Sequence, residues 1–276
     1  MSGAPSDTPE YALGRSEAET RRLILQHQIY GPLTRQFLHS AGVGPGMTVL
    51  DLGSGAGDVA LLLADLVGPQ GRVIGIDTNA EILDVARARV RAAGWSNVTL
   101  VEGDLHALAR DEELDAVVGR WVLMYVTDPA AVLGAVAGRL RKGGIVAFQE
   151  GDLSNPPAPH PPVPLHEQVR RWTTPPPGAP GPDTQMGLKL RRTYLAAGLP
   201  APMLRMDSPI GGGADWPGFA YLAGTVRSLL PFFERLGVVS ADEVDIDTLA
   251  DRLRTELVAV DGVQILPPLI GAWARV

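Results

Sequence analysis

A chain of 276 residues that is 45% hydrophobic can bury a large core, as one domain or as one domain with an addition. Its 24 basic and 31 acidic residues leave a formal charge of −7, which disfavours nonspecific attraction to nucleic acid or anionic membrane and favours small molecules or proteins as partners. The chain has no cysteine, so disulfides, thiolate zinc sites and cysteine nucleophiles are excluded.

The opening Met1 to Glu10 lacks a basic region followed by an apolar run, and no apolar stretch reaches membrane-spanning length. A cytoplasmic protein is expected, and homo-oligomer formation stays open. Ser16 and Glu19 make a capping-box pattern ahead of Leu23, Ile24 and Leu25, so a helix is expected to about Gln28. Pro32 opens a second helix through Leu33 and Phe37 that ends near Gly42 and Gly44. A regular alternation follows: strand Thr48 to Leu52, helix Leu61 to Leu66, strand Arg72 to Ile76, helix Glu81 to Ala93 and strand Val98 to Glu102. It continues with strand Asp115 to Val118, a helix capped by Asp128-Pro129 and running through Leu140, and Gly143-Gly144 turning into strand Ile145 to Gln149.

Apolar strands alternating with helices predict an α/β fold, a doubly wound, mostly parallel sheet covered on both faces. Asn155 to Pro182 breaks the rhythm with proline, yet Leu165, Val169 and Trp172 fall at helical spacing and an amphipathic run follows from Met186 to Ala197. The expected organisation is an N-terminal helical cap over 1–44, a ligand-binding core over 45–154, an inserted lid over 155–199 and a C-terminal completion over 200–276. Strands Met203 to Ser208 and Leu269 to Arg275 bring the sheet to seven, with helices Trp216 to Leu236 and Asp247 to Val258 between them.

The run Asp51-Leu52-Gly53-Ser54-Gly55-Ala56-Gly57-Asp58 joins an apolar strand to a Gly-rich turn and a helix. Such a turn lets a ligand approach the main chain while the helix offers free N–H groups, but it serves several nucleotide ligands alike. A dinucleotide fingerprint wants a third Gly where Asp58 stands. Asp77, ending the second strand, suits two ribose hydroxyls as a paired acceptor. The discriminating feature follows the third strand: Asp104 can accept from an adenine amino group while Leu105 covers the ring. Asp77 and Asp104 are also residue types that cap helices and turns.

With these features, Arg120-Trp121 after the fourth strand and Gly143-Gly144 before the fifth, the chain resembles the class I S-adenosylmethionine-dependent methyltransferases over nearly its whole length. Tyr11-Ala12-Leu13-Gly14, Val122 to Pro129 and Phe148-Gln149-Glu150 are similar to a group of bacterial small-molecule methyltransferases. Ser54 stands where many of them carry Cys. The resemblance implies a Rossmann-like methyltransferase fold and S-adenosyl-L-methionine as cofactor. It places Asp51, Gly53, Ser54 and Gly55 toward the methionine and sugar, Asp77 and Thr78 on the ribose, and Asp104 and Leu105 on the adenine. Arg120 would meet the cofactor carboxylate, unless it pairs with a surface carboxylate instead, and Tyr11 would close over the sulfonium, unless it lies in an exposed tail.

The implied reaction is methyl transfer to oxygen, nitrogen or carbon of a small-molecule acceptor, of a kind met in secondary metabolism. Glu150, His166 and Glu167 are the candidate bases, although a carboxylate at Glu150 also suits capping or pairing, and His166 and Glu167 also suit a solvated helix. Tyr125, Met186 and Trp216 are candidate acceptor-pocket residues, and Trp121 is a further apolar candidate. No metal is expected. The rivals are an NAD(P)-dependent oxidoreductase, which Asp58 and Asp104 disfavour, and a silent S-adenosylmethionine-binding sensor or scaffold.

Overall fold

The computed structural model describes residues 17–104, 113–174, 181–235 and 237–276. Its centre is a seven-stranded sheet whose strands are β1 (Thr48–Leu52), β2 (Arg72–Asp77), β3 (Val98–Glu102), β4 (Leu114–Arg120), β5 (Leu140–Gly151), β6 (Met203–Asp207) and β9 (Leu269–Arg275). They lie in the order β3-β2-β1-β4-β5-β9-β6, with β9 antiparallel to both neighbours. Chain order reverses between β1 and β4, which opens a crevice at their carboxyl ends.

The central strands β1, β2, β4 and β5 are largely buried because both faces of the sheet are covered there, whereas the edge strands β3 and β6 are partly exposed. Along β1, Val49 packs with Phe37, Leu38 and Leu63, while Leu50 packs with Leu133, Val136 and Tyr194 on the other face. The first layer comes from α1 (Glu17–Ala41) and α2 (Asp58–Val67), and the second from α4 (Pro129–Ala137) and α6 (Met186–Ala196). Between β2 and β3, α3 (Ala80–Ala92) starts on Asn79, whose side chain accepts from the N–H groups of Glu81 and Ile82.

Two expected helices are one. Pro32 lies inside α1, where it removes one backbone donor, a loss of about 3 kcal/mol in a helix interior. Burial on both sides of the break offsets it: Ile29, Tyr30, Phe37 and Leu38 are all buried, and the Tyr30 hydroxyl donates to the Pro267 carbonyl at 3.0 Å. Near the fifth strand, α4 stops at Ala137, and Gly143-Gly144 falls in an irregular stretch of β5 rather than before it. Leu114 pairs with Leu140, whereas Ala116 pairs with Ile145.

Packing divides the segment expected as one lid, 155–199. Met186, Leu190 and Tyr194 face the sheet from α6, and the Tyr194 hydroxyl donates to the Ala272 carbonyl at 2.8 Å. That helix is the crossover from β5 to β6. The preceding α5 (Pro164–Thr173) instead shares a separate core with α7 (Gly218–Arg235), α8 (Ala241–Val244) and α9 (Leu249–Val258). Val169 and Trp172 pack there with Phe219, Val226, Leu253 and Leu257. The result is a helical cap drawn from both sides of β6. A two-stranded ribbon of β7 (Ile210–Gly211) and β8 (Gln264–Ile265) joins it to the sheet.

Candidate functional site

The loop after β1 holds its turn through three glycines with positive φ, Gly53 at 70°, Gly55 at 52° and Gly57 at 80°. Asp77 fixes that loop from the end of β2: one carboxylate oxygen accepts from the Gly55 N–H at 2.8 Å and the other from the Asn79 N–H at 2.9 Å. Each oxygen retains a lone pair for a further donor. Thr78 is exposed beside it. The Gly103 N–H donates to the Asp77 carbonyl at 2.9 Å, which sets the turn carrying the exposed Asp104 next to the same strand end. Tyr11 and Leu105 lie outside the described residues.

Asp51 is buried at the end of β1 and accepts from the Ser54 hydroxyl at 2.7 Å through Oδ2, while its Oδ1 is buried with no partner. Burial pushes this carboxyl up to about 7, against the Ser54 hydrogen bond and the Arg120 charge. Arg120 donates to the Thr34 hydroxyl on α1 at 3.1 Å. Burial lowers its pKa, against the carboxylates of Asp58 and Asp51, which favour the charged form. Asp58, where a dinucleotide fingerprint would have Gly, is paired with Arg89 at 2.6 Å.

The segment after β4 is the wall of this crevice. A Cβ on Gly53 would lie 2.6 Å from Cγ2 of Val122, so the glycine turn and Val122 are in close contact. Trp121 takes a left-handed φ of 59°, rare for a large side chain and common where a fold stores strain at a site. Glu150 holds the wall in place. Its carboxylate accepts from the N–H groups of Val122 at 3.0 Å, Leu123 at 2.8 Å and Met124 at 3.4 Å, which begin a short 3₁₀ turn (Leu123–Tyr125). The carboxyl is fully buried, and burial raises it to about 7 although all three hydrogen bonds favour the charged form.

On the far side of the wall, beneath the cap, lies a cavity of about 540 Å³. Trp121 and Tyr125 line it from the wall, His166 from α5, Tyr221 and Phe233 from α7, and Gln264 from β8. Its size suits one drug-sized molecule, and its rings and prolines make it largely apolar.

The candidate acceptor-side residues divide accordingly. Tyr125 and His166 line the cavity. Met186 does not: it is buried against the sheet with Leu190. Trp216 does not either, since its indole N–H donates to Gln264 Oε1 at 2.8 Å and it serves as support for that residue. Glu167 is not part of the cavity lining and pairs at 3.0 Å with Arg170, one turn along α5, which does line it. Glu150 is taken up by the three backbone donors and is a positioning residue in place of the expected base. His166 is buried, with Nδ1 3.3 Å from Glu256 Oε2 and Nε2 without a partner. Burial lowers its pKa, partly countered by Glu256.

No motif signals Thr34, Tyr221, Gln264 or Glu256, because each reaches the site from a distant stretch of chain. Gln26 on α1, for instance, donates to the Tyr221 hydroxyl at 3.1 Å across 195 residues.

Residues 44–175 match a family described as a methyltransferase domain. Over 111 residues the chain is 38% identical to an arsenite methyltransferase of Halobacterium salinarum, covering 40% of this chain and 28% of that protein. Over 139 residues it is 36% identical to the ubiquinone/menaquinone biosynthesis C-methyltransferase UbiE of Shewanella frigidimarina, covering 50% and 51% respectively. The chain thus spans about half the length, or less, of these curated relatives. Among solved structures, the YcgJ protein of Bacillus subtilis aligns over 91% of this chain and 99% of its own with a TM-score of 0.53 and 19% identity, a likeness of fold.

Proposed function

We propose that this chain, whose residues 44–175 match a methyltransferase-domain family, is a class I S-adenosylmethionine-dependent methyltransferase that transfers a methyl group to a small, largely apolar acceptor held beneath the cap. The observation that carries this reading is the shared wall. Val122 contacts the glycine turn on one side, while its neighbours Trp121, Met124 and Tyr125 line the cavity on the other. A donor in the crevice and an acceptor in the cavity would therefore meet across one short segment.

The residues of the crevice fit S-adenosylmethionine. Asp51 Oδ1 is a buried acceptor lacking a donor, which an ammonium group would supply. Arg120 offers a guanidinium for a carboxylate, Asp77 offers paired acceptors for ribose hydroxyls, and Gly53, Ser54 and Gly55 bring backbone close to the ligand. Asp104 has the chemistry for an adenine amino group. When bound, S-adenosylmethionine supplies a methyl group activated on a positive sulfur. The protein's share of the work is alignment and exclusion of water, and orientation alone contributes ~7–11 kcal/mol in favourable cases.

Relatives named for arsenite and for ubiquinone/menaquinone biosynthesis support an acceptor of small-molecule size. The net charge of −7 gives no electrostatic attraction toward nucleic acid. The test is incubation of the purified protein with methyl-labelled S-adenosylmethionine and a fractionated cell extract. Label is expected in the low-molecular-weight fraction, as a product one methyl heavier; label confined to protein or nucleic acid would contradict the proposal.

A further inference from the structure

The two edges of the sheet differ. On β3 the exposed residues are Thr99 and Glu102, whereas β6 exposes Met203, Leu204 and Met206 at 63%, 49% and 60%. Of the eight exposed large apolar side chains among the described residues, four lie within residues 203–210, the fourth being Ile210. No described strand pairs with the outer side of β6, so its outward N–H and C=O groups form a template for another strand. Neither a bulge against β9 nor a proline within the strand blunts that template.

Side chains alternate between the two faces of a strand, which separates the charged residues of β6 from its apolar ones. Arg205 donates to Asp207 at 2.6 Å and 2.9 Å and to the Gln36 side chain on α1 at 2.9 Å, so this charged pair stands on the α1 face. Leu204 and Met206 point to the opposite face, where nothing covers more than about half of either. Pro202 and Pro209 bracket the strand and limit any pairing to the residues between them.

We infer that β6 pairs antiparallel with β6 of a second copy of this chain, about a two-fold axis through Met206. In that register Arg205 of each copy lies opposite Asp207 of the other, so the two bonded pairs become a two-by-two checkerboard of alternating charge. Opposite charges directly across an antiparallel pair stabilise it. On the other face Met206 meets Met206 at the axis and Leu204 lies opposite Ser208. The full-overlap register, centred on Arg205, would set arginine against arginine and Met203 against Asp207, so charge selects the Met206 axis. Such an interface is self-complementary and uses up both free β6 edges, so association stops at two copies. In the sheet, β5 and β9 stand between this edge and β4, which keeps the pairing independent of what the crevice binds.

Sedimentation velocity on the full chain over rising concentration is expected to show a monomer passing to a dimer and no further. Arg205→Glu and Asp207→Arg should each weaken association at least about tenfold, because every cross-strand pair becomes a like-charge pair. Mixed in equal amounts, the two variants should associate again, each supplying the charges the other lacks. Recovery on mixing cannot come from misfolded chains, so the contrast survives any loss of stability in the single variants.

The chain has no cysteine, so Met206→Cys introduces a single thiol. At the axis the thiols of the two copies are neighbours, and oxidation should join them in a covalent dimer. Met203→Cys should stay monomeric under the same treatment, since its two copies lie about 20 Å apart along the paired strands. A chain that is monomeric at every concentration would leave the β6 edge to a different partner and overturn the inference. So would a dimer unaffected by either charge reversal, a mixture that stays monomeric, or a disulfide formed at residue 203 in place of 206.

Discussion

Two buried carboxyls, Asp51 and Glu150, are raised to about 7 by the same cause, loss of water, yet they face different neighbours. Glu150 meets three backbone N–H groups, whereas Asp51 has an oxygen with none. Asp51 therefore holds its proton more tightly in the folded chain than in the unfolded one. The stability this gives is complete below the unfolded value of 3.8 and is lost as pH rises through about 7. Relative to wild type, Asp51→Asn should gain stability between pH 4 and pH 8, measured by urea unfolding of ligand-free protein. The gain is at most ~4 kcal/mol, because each tenfold change in proton affinity is worth about 1.4 kcal/mol. The same variant should bind S-adenosylhomocysteine at least about tenfold more weakly at pH 8, where wild-type Asp51 is ionised and can meet an ammonium group. At Glu150, Gln retains one carbonyl acceptor for the wall while Ala leaves all three donors bare. Glu150→Ala should cost ~3 kcal/mol or more of stability, and Glu150→Gln clearly less, by the same unfolding measurement.

At the scale of elements, the cap depends on close approaches that only a residue without a side chain permits. Gly218, at the start of α7, is buried where a Cβ would strike both Trp216 Nε1 and Gln264 Oε1. Gly218→Ala should therefore push Gln264 out of the cavity wall and lower stability by ~1–3 kcal/mol, as overpacking does. Acceptor binding should weaken while S-adenosylhomocysteine binding is kept, a contrast that calorimetry on one preparation can read. The strands and the helices between them are legible because period and punctuation agree: apolar runs bounded by Gly, Asp and Asn. Pro32 misleads in the opposite direction. Proline ends helices by local rule, but α1 is held across it by Tyr30 and Phe37 packing against β9 and its neighbours, which no local rule contains.

For the whole molecule, legibility follows sequence distance. The glycine turn, Asp77 and Arg120 each stand at the end of a strand, so a crevice at the switch between β1 and β4 can be read from order alone. The cavity beneath the cap cannot, because its walls come from the segment after β4, from α5, α7 and β8, and meet only when the chain folds. Met186 and Trp216 illustrate the limit: both are apolar residues at positions that suggest a pocket, yet one packs on the sheet and the other supports Gln264. Two of its lining residues, His166 and Gln264, lie almost a hundred residues apart in the chain.

A crevice built for S-adenosylmethionine should give a clear signal in titration calorimetry. Saturable binding of S-adenosylmethionine and S-adenosylhomocysteine is expected, lost or strongly weakened in Asp77→Ala, with no comparable heat from NAD(H) or NADP(H). Binding of a nicotinamide dinucleotide with none of S-adenosylmethionine or S-adenosylhomocysteine would show that the crevice serves a different cofactor.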